Sequence, residues 1–187
     1  MTIWIILGLA AALAVYAVLI YNRLVSTRQM TEEAWSGIDV QLKRRSDLIP
    51  NLVDTVKGYA AHERGVLEDV ISMRTAARAV PPDDVAARAK AEGALSQALG
   101  RLLAVAENYP DLKASANFLE LQRELSALEN EIQMARRYYN GATRNLNTMV
   151  ESFPSNIVAN QFAFVKRDYF EIEEPADRAL PKVSFQP

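Results

Sequence analysis

The chain predicts an all-α protein: an N-terminal transmembrane helix followed by an antiparallel bundle of long coiled-coil-like helices. Three observations carry that prediction. Ile3 to Ile20 is an uncharged apolar run, apolar residues beyond it recur at steps of three and four, and no proline falls between Asp83 and Tyr109 or between Asp111 and Phe153. Spacing of that kind places apolar side chains on one stripe of a helix, and such stripes pack against each other.

The apolar run comes first. No residue from Thr2 to Asn22 is charged, and 18 to 20 helical residues match a hydrocarbon core of ~30 Å. A cleaved signal peptide is the rival reading. A charged leading region is missing, and Tyr21-Asn22-Arg23-Leu24-Val25-Ser26 lacks a small-residue cleavage pattern, so a retained anchor over residues 1–22 is favoured. Arg23 and Arg28 follow the span closely, which by the positive-inside rule favours a single-pass protein of the cell membrane with a cytoplasmic C-terminal domain. The margin is two arginines, and an extracytoplasmic domain stays open.

A helical bundle is expected over residues 23–153, in arms of about 23–80, 84–108 and 116–153. In the first arm Ile38, Leu42, Ile49, Leu52, Val56 and Tyr59, then Val66, Val70, Met73 and Ala77, form a heptad seam. Arg45 and Glu63 interrupt it; the stem of Arg45 can cover apolar surface while its head reaches water. Pro50 lacks an N–H and crowds the carbonyl of Ser46, so a kink or restart is expected there. Pro81-Pro82 ends the arm as the first hairpin turn, and Asp83-Asp84 caps the next helix.

The second arm is marked by Val85, Ala89, Leu95, Leu99, Leu102 and Ala106. The third has the cleanest pattern, with Phe118, Leu121, Leu125, Leu128, Ile132, Ala135, Tyr139, Ala142, Leu146, Met149 and Phe153 in unbroken three-four spacing. Asn117 to Ser152 as one helix would be roughly 54 Å long. Residues 154–187 form an aromatic-rich tail that includes Phe162, Phe164, Phe170 and Phe185. A segment this aromatic is expected to pack on the bundle, on a neighbouring subunit or against the membrane.

Composition excludes much. Lys and Arg number 21 against 23 Asp and Glu, so the net charge of -2 gives no reason to expect nucleic acid as a partner. Absence of cysteine removes disulfides, thiol nucleophiles and thiolate metal sites. His62 is the only histidine, and Val66 stands where a zinc-protease H-E-x-x-H motif needs its second ligand. It reads as a helix-surface histidine. Glu32-Glu33, Asp83-Asp84 and Glu173-Glu174 read as a solvated face, a cap and a solvated tail. No phosphate loop is legible, and neither catalytic residues nor a cofactor or metal are expected.

What remains are candidates for interaction. Lys43-Arg44-Arg45 is the densest basic cluster, but an unbroken helix would carry Lys43 about 30 Å from the membrane, beyond the reach of headgroup charge. Acidic residues on a neighbouring helix or subunit are its expected partners, against a merely solvated face. Trp35 lies three residues before Ile38, which turns its indole toward the core or a subunit contact. Gly37 inside a helix suggests a close helix approach or a bend. Tyr138 sits beside the seam and could face a partner.

Several segments carry a resemblance to a known family. Glu33-Ala34-Trp35-Ser36-Gly37-Ile38-Asp39-Val40-Gln41-Leu42-Lys43-Arg44-Arg45-Ser46-Asp47-Leu48-Ile49-Pro50-Asn51-Leu52-Val53 resembles the hallmark of the LemA family, and Asp54 to Glu63 extends it. Glu107 to Ala114, then Ala135-Arg136-Arg137-Tyr138-Tyr139-Asn140 with Phe153-Pro154-Ser155-Asn156, are similar to its later motifs. The resemblance implies one N-terminal span, a bundle of long helices and a bacterial membrane, but no activity and no catalytic residues. Relatives in magnetosome-forming bacteria are linked to membrane organisation, which leans toward scaffolding.

Two roles stay open at this point. One is a self-associating scaffold, favoured by the seams, the aromatic tail and the small residues Gly8, Ala10, Ala11, Ala12 and Ala14 in the span. The other is an adaptor or regulatory subunit that binds one membrane-protein partner, such as a protease or sensor, through its tail.

Overall fold

The apolar spacing folds as helices throughout: among the described residues there is no strand. A computed structural model describes residues 1–171, in six helices. These are α1 (Thr2–Tyr59), α2 (Arg64–Ala79), α3 (Val85–Ala106), α4 (Pro110–Lys113), α5 (Ala116–Glu151) and α6 (Ser155–Gln161). Glu173, Glu174 and Phe185 lie outside the described residues.

Pro50 does not restart α1, contrary to the sequence expectation; the helix runs through it. The cost of an interior proline is a carbonyl left without its helical donor. Here that carbonyl, Ser46 O, accepts from Arg74 Nε of α2 at 2.6 Å. A side chain from the neighbouring helix supplies what the proline removes, and the helix continues.

The first reversal comes earlier than Pro81-Pro82. Helix α1 ends at Tyr59, Glu63 N donates to Ala60 O at 3.0 Å, and α2 begins at Arg64. The apolar phase slips here, since Ala60 is fully buried while the expected seam residue Tyr59 is 48 % exposed. Turning at this point brings Leu67 and Val70 into one core with Val53 and Val56. The stretch from residue 23 to 80 is therefore two helices. His62 lies exposed in the turn rather than on a helix. Asp84 caps α3 as expected, its Oδ1 accepting from Ala87 N at 2.9 Å.

The described chain falls into two compact units, and α1 and α5 contribute to both. One comprises Gln41–Asn130 with Phe170 and Glu171. Its core gathers Ile49, Leu52 and Val56 of α1, Leu67 and Val70 of α2, Leu95, Leu99 and Leu102 of α3, and Phe118, Leu121 and Leu125 of α5. Within it α5 runs antiparallel to α1, with Asn117 bonded to Thr55 and Glu129 to Arg45.

The other unit comprises Met1–Val40 and Glu131–Tyr169. Trp35 meets Tyr139 with ring centroids 5.3 Å apart, and the Thr27 hydroxyl approaches the Met149 sulfur, so these stretches of α1 and α5 are antiparallel as well. Leu24, Leu146, Val158, Ala159 and Phe164 form its core, with Ala17 and Ile20 packed against them. The α5 seam is buried from Phe118 to Leu146 except at the partly exposed Ala135, and it does not reach Phe153, which is 80 % exposed beyond the helix end. Gly37 has open space around its α-carbon, so no close helix approach requires it.

Candidate interaction sites

Two constellations stand out, one in each unit. The first is centred on Arg45, whose side chain is fully buried, so its head does not reach water as the sequence suggested. It is built from the residue that breaks the α1 seam. Arg45 Nη2 donates to Glu92 Oε2 of α3 at 2.5 Å, and Nη1 to Glu129 Oε1 of α5 at 2.6 Å and to Ser96 Oγ at 2.7 Å. Arg88 Nε closes on the other carboxylate oxygen of Glu92 at 3.1 Å. A buried guanidinium is tolerated only when most of its donors find acceptors; two carboxylates with a hydroxyl satisfy both Nη atoms, and Nε alone is left without a partner. The arrangement ties α1, α3 and α5 together in one register. Sequence reasoning placed Arg45 among the interaction candidates and missed Glu92, whose seam position between Ala89 and Leu95 was the available signal.

The second constellation surrounds the point where the apolar run of α1 ends. Beyond α5 the chain passes through Pro154, after a cis peptide, into α6, and then turns at Ala163. Phe164 N donates to Ala159 O at 2.9 Å and Ala163 N to Asn160 O at 3.3 Å, with Ala163 at φ 53°. That pair of bonds is a Schellman stop, in which glycine usually holds the left-handed position. The stop directs Phe164 inward among Leu24, Leu146 and Val158. Its ring lies 5.9 Å from that of Tyr21 and 5.1 Å from the Arg28 guanidinium, while Phe162 meets Tyr21 at 4.8 Å.

The chain after the stop is fastened by polar bonds. Asn147 Oδ1 accepts from Arg167 N and its Nδ2 donates to Arg167 O, both at 2.9 Å. Tyr139 donates its hydroxyl to Asp168 O at 2.8 Å, and burial holds its pKa above the ordinary phenol range. Lys166 pairs with Glu151 at 2.7 Å, and that hydrogen bond raises the ammonium pKa.

The remaining candidates are scattered. Lys43 and Arg44 are exposed, on the same helix as Arg45 but without its burial. Tyr138 is 56 % exposed, Trp35 is half-buried against Tyr139, and Phe170 is fully buried. Phe162 is exposed although one face of its ring meets Tyr21. Among the described residues no group of three His, Cys, Asp or Glu side chains could hold a metal ion.

Fold and sites together define a class: a helical bundle that continues out of an apolar N-terminal helix long enough to cross a membrane. The LemA family model matches residues 34–185, and the chain belongs to that family. It is 27 % identical over 180 residues to magnetosome protein MamQ 2 of Paramagnetospirillum magneticum, covering 83 % of this chain and 66 % of that protein. It is 25 % identical over 180 residues to magnetosome protein MamQ of Magnetospirillum gryphiswaldense, with the same coverage. It is also 27 % identical over 153 residues to protein LemA of Metamycoplasma hominis, covering 82 % of this chain and 69 % of the relative. The chain thus spans about two thirds of the length of these curated relatives. The apolar N-terminal helix is consistent with a single-pass membrane protein.

Proposed function

We propose that this chain is a non-enzymatic, membrane-anchored scaffold that self-associates and organises membrane or membrane proteins. The observation that carries this reading is the packing of Ala17 and Ile20, inside the apolar run, against Leu24, Val158, Ala159 and Phe164 of the folded body. Packing of the anchor's last turns on a folded core supports a retained anchor, since cleavage there would remove part of that core. Two further features support scaffolding. Polar clusters with a catalytic spacing are missing from the sequence, and Met30, Val40, Met134 and Tyr138 leave apolar surface on α1 and α5 exposed. Relatives named as magnetosome proteins point toward an organised membrane setting.

Light scattering of the full-length protein in mild detergent tests self-association. A defined assembly of several chains is the expected result. Single chains would overturn it. Arg23 and Arg28, just after the apolar run, support a cytoplasmic position for the body in a bacterial cell. Because the chain has no cysteine, a cysteine introduced at the exposed Lys43 reports sidedness: an impermeant maleimide should label it in broken cells and not in intact ones.

A further inference from the structure

The aromatic tail returns to the depth at which the anchor leaves the membrane. The apolar run of α1 ends at Ile20, and Asn22 and Arg23 are the first strongly polar residues after it, so Tyr21 stands at the edge of the hydrocarbon. Phe162 lies against the Tyr21 ring, and the core formed with α6 includes Ile20 and Ala17. At 1.5 Å per residue, Ala17 is about 6 Å deeper than Tyr21. An element packed on Ala17 cannot stand clear of a bilayer that contains Ala17.

The side chains exposed there match that location. Phe153 is 80 % exposed, Ile157 60 %, Phe162 57 % and Val165 66 %, all in the short stretch that wraps α6. In water this is an unfavourable cluster, since each large apolar side chain left exposed forgoes on the order of 1.5–3 kcal/mol of burial. In the boundary between headgroups and acyl chains it is a favourable one. Continuity with the anchor identifies the occupant of this face as lipid.

We propose that α6 and its flanking residues form a second, interfacial membrane contact, with Phe153, Ile157, Phe162 and Val165 immersed at the acyl boundary beside the anchor. The contact presupposes that Ile3–Ile20 spans the bilayer. It gives the body two attachments to one leaflet and so sets its tilt and rotation, which a single helix alone leaves free.

Depth-dependent quenching of full-length protein in bilayers of dibrominated phosphatidylcholine tests it. Three single-tryptophan versions are compared: Trp35→Phe, which keeps Trp4; Trp4→Phe, which keeps Trp35; and Trp4→Phe with Trp35→Phe and Phe162→Trp. The last should be quenched about twofold or more by bromines on the upper acyl carbons and weakly by deep ones, as a side chain ~5–10 Å into the interface would be. Trp35 should be unaffected. Quenched Trp4 with a water-like, unquenched tryptophan at 162 overturns the interfacial contact alone. If Trp4 is also unquenched, the span itself is wrong and the contact falls with it. Ile157→Trp in the same background repeats the measurement at a position on α6, so that a local distortion at 162 does not decide the result.

Discussion

Arg74 Nε donates to Ser46 O, the carbonyl that Pro50 deprives of its helical partner, at 2.6 Å. Deleting that donor strands the carbonyl. Arg74→Met should cost about 1–3 kcal/mol in urea unfolding, the range for a polar group left without a partner. In a Pro50→Ala background, where the helix restores its own donor, the same substitution should cost less, with a coupling of about 1 kcal/mol in the double-mutant cycle. Equal costs in both backgrounds would show that Arg74 is not compensating the proline.

The buried guanidinium of Arg45 makes a second prediction. Glu92→Leu removes the acceptor that is 4 % exposed, and should destabilise by about 3–5 kcal/mol, whereas Glu129→Ala, at 36 % exposure, should cost on the order of 1 kcal/mol. Replacing Arg45 by Met together with Glu92 by Leu should recover part of the larger loss, since the fully buried guanidinium is then gone; the share that comes from Arg88, which also pairs with Glu92, stays. Thermal unfolding of the four proteins decides the order.

Ala163 holds a left-handed backbone at φ 53°. A side chain there costs roughly 1–2 kcal/mol that glycine does not incur, partly offset by the greater freedom of glycine in the unfolded chain. Ala163→Gly should therefore raise Tm slightly, and Ala163→Val should lower it. A lower Tm for glycine would count against the turn as described.

Alkaline pH should weaken the fold. Tyr109 donates its hydroxyl to Glu63 Oε1 at 3.0 Å, and that bond, with burial and the nearby carboxylate charge, holds its pKa above the usual value near 10. Folding thus favours the protonated phenol. The contribution is fully present below the unfolded pKa of about 10 and is lost as pH rises through the folded one. Buried Tyr139 acts in the same direction. Urea midpoints should fall between pH 9 and pH 11, to take an approximate window, and less steeply in Tyr109→Phe.

Much of this architecture was legible before any coordinates. The seam residues Leu121, Leu125, Leu128, Ile132 and Tyr139 are buried as their spacing implies, because each contact they make repeats along one helix face. What could not be read depends on distant partners. Whether Arg45 faces water or a carboxylate is decided by Glu92 and Glu129, 47 and 84 residues away, and Pro50 is accommodated by a donor 28 residues on. The turn at Ala60 to Glu63 lacks the proline and glycine pairs that mark Pro81-Pro82, so it is visible only as a slip in phase. The destination of the aromatic tail rested on Tyr21, which the pattern assigned to the anchor.

The clasp formed by Phe164 and its neighbours also imposes an order on biosynthesis. Thr27 finds Met149 across 122 residues and Glu32 finds Arg167 across 135. At about 5–20 residues per second, the ribosome delivers those partners roughly 6 to 27 s after the N-terminal helix. During that interval Leu24 and Ile20 have no cover from the tail, and a chain that stops short of Phe164 never acquires it. Completion of translation is thereby written into the packing around the end of the apolar run.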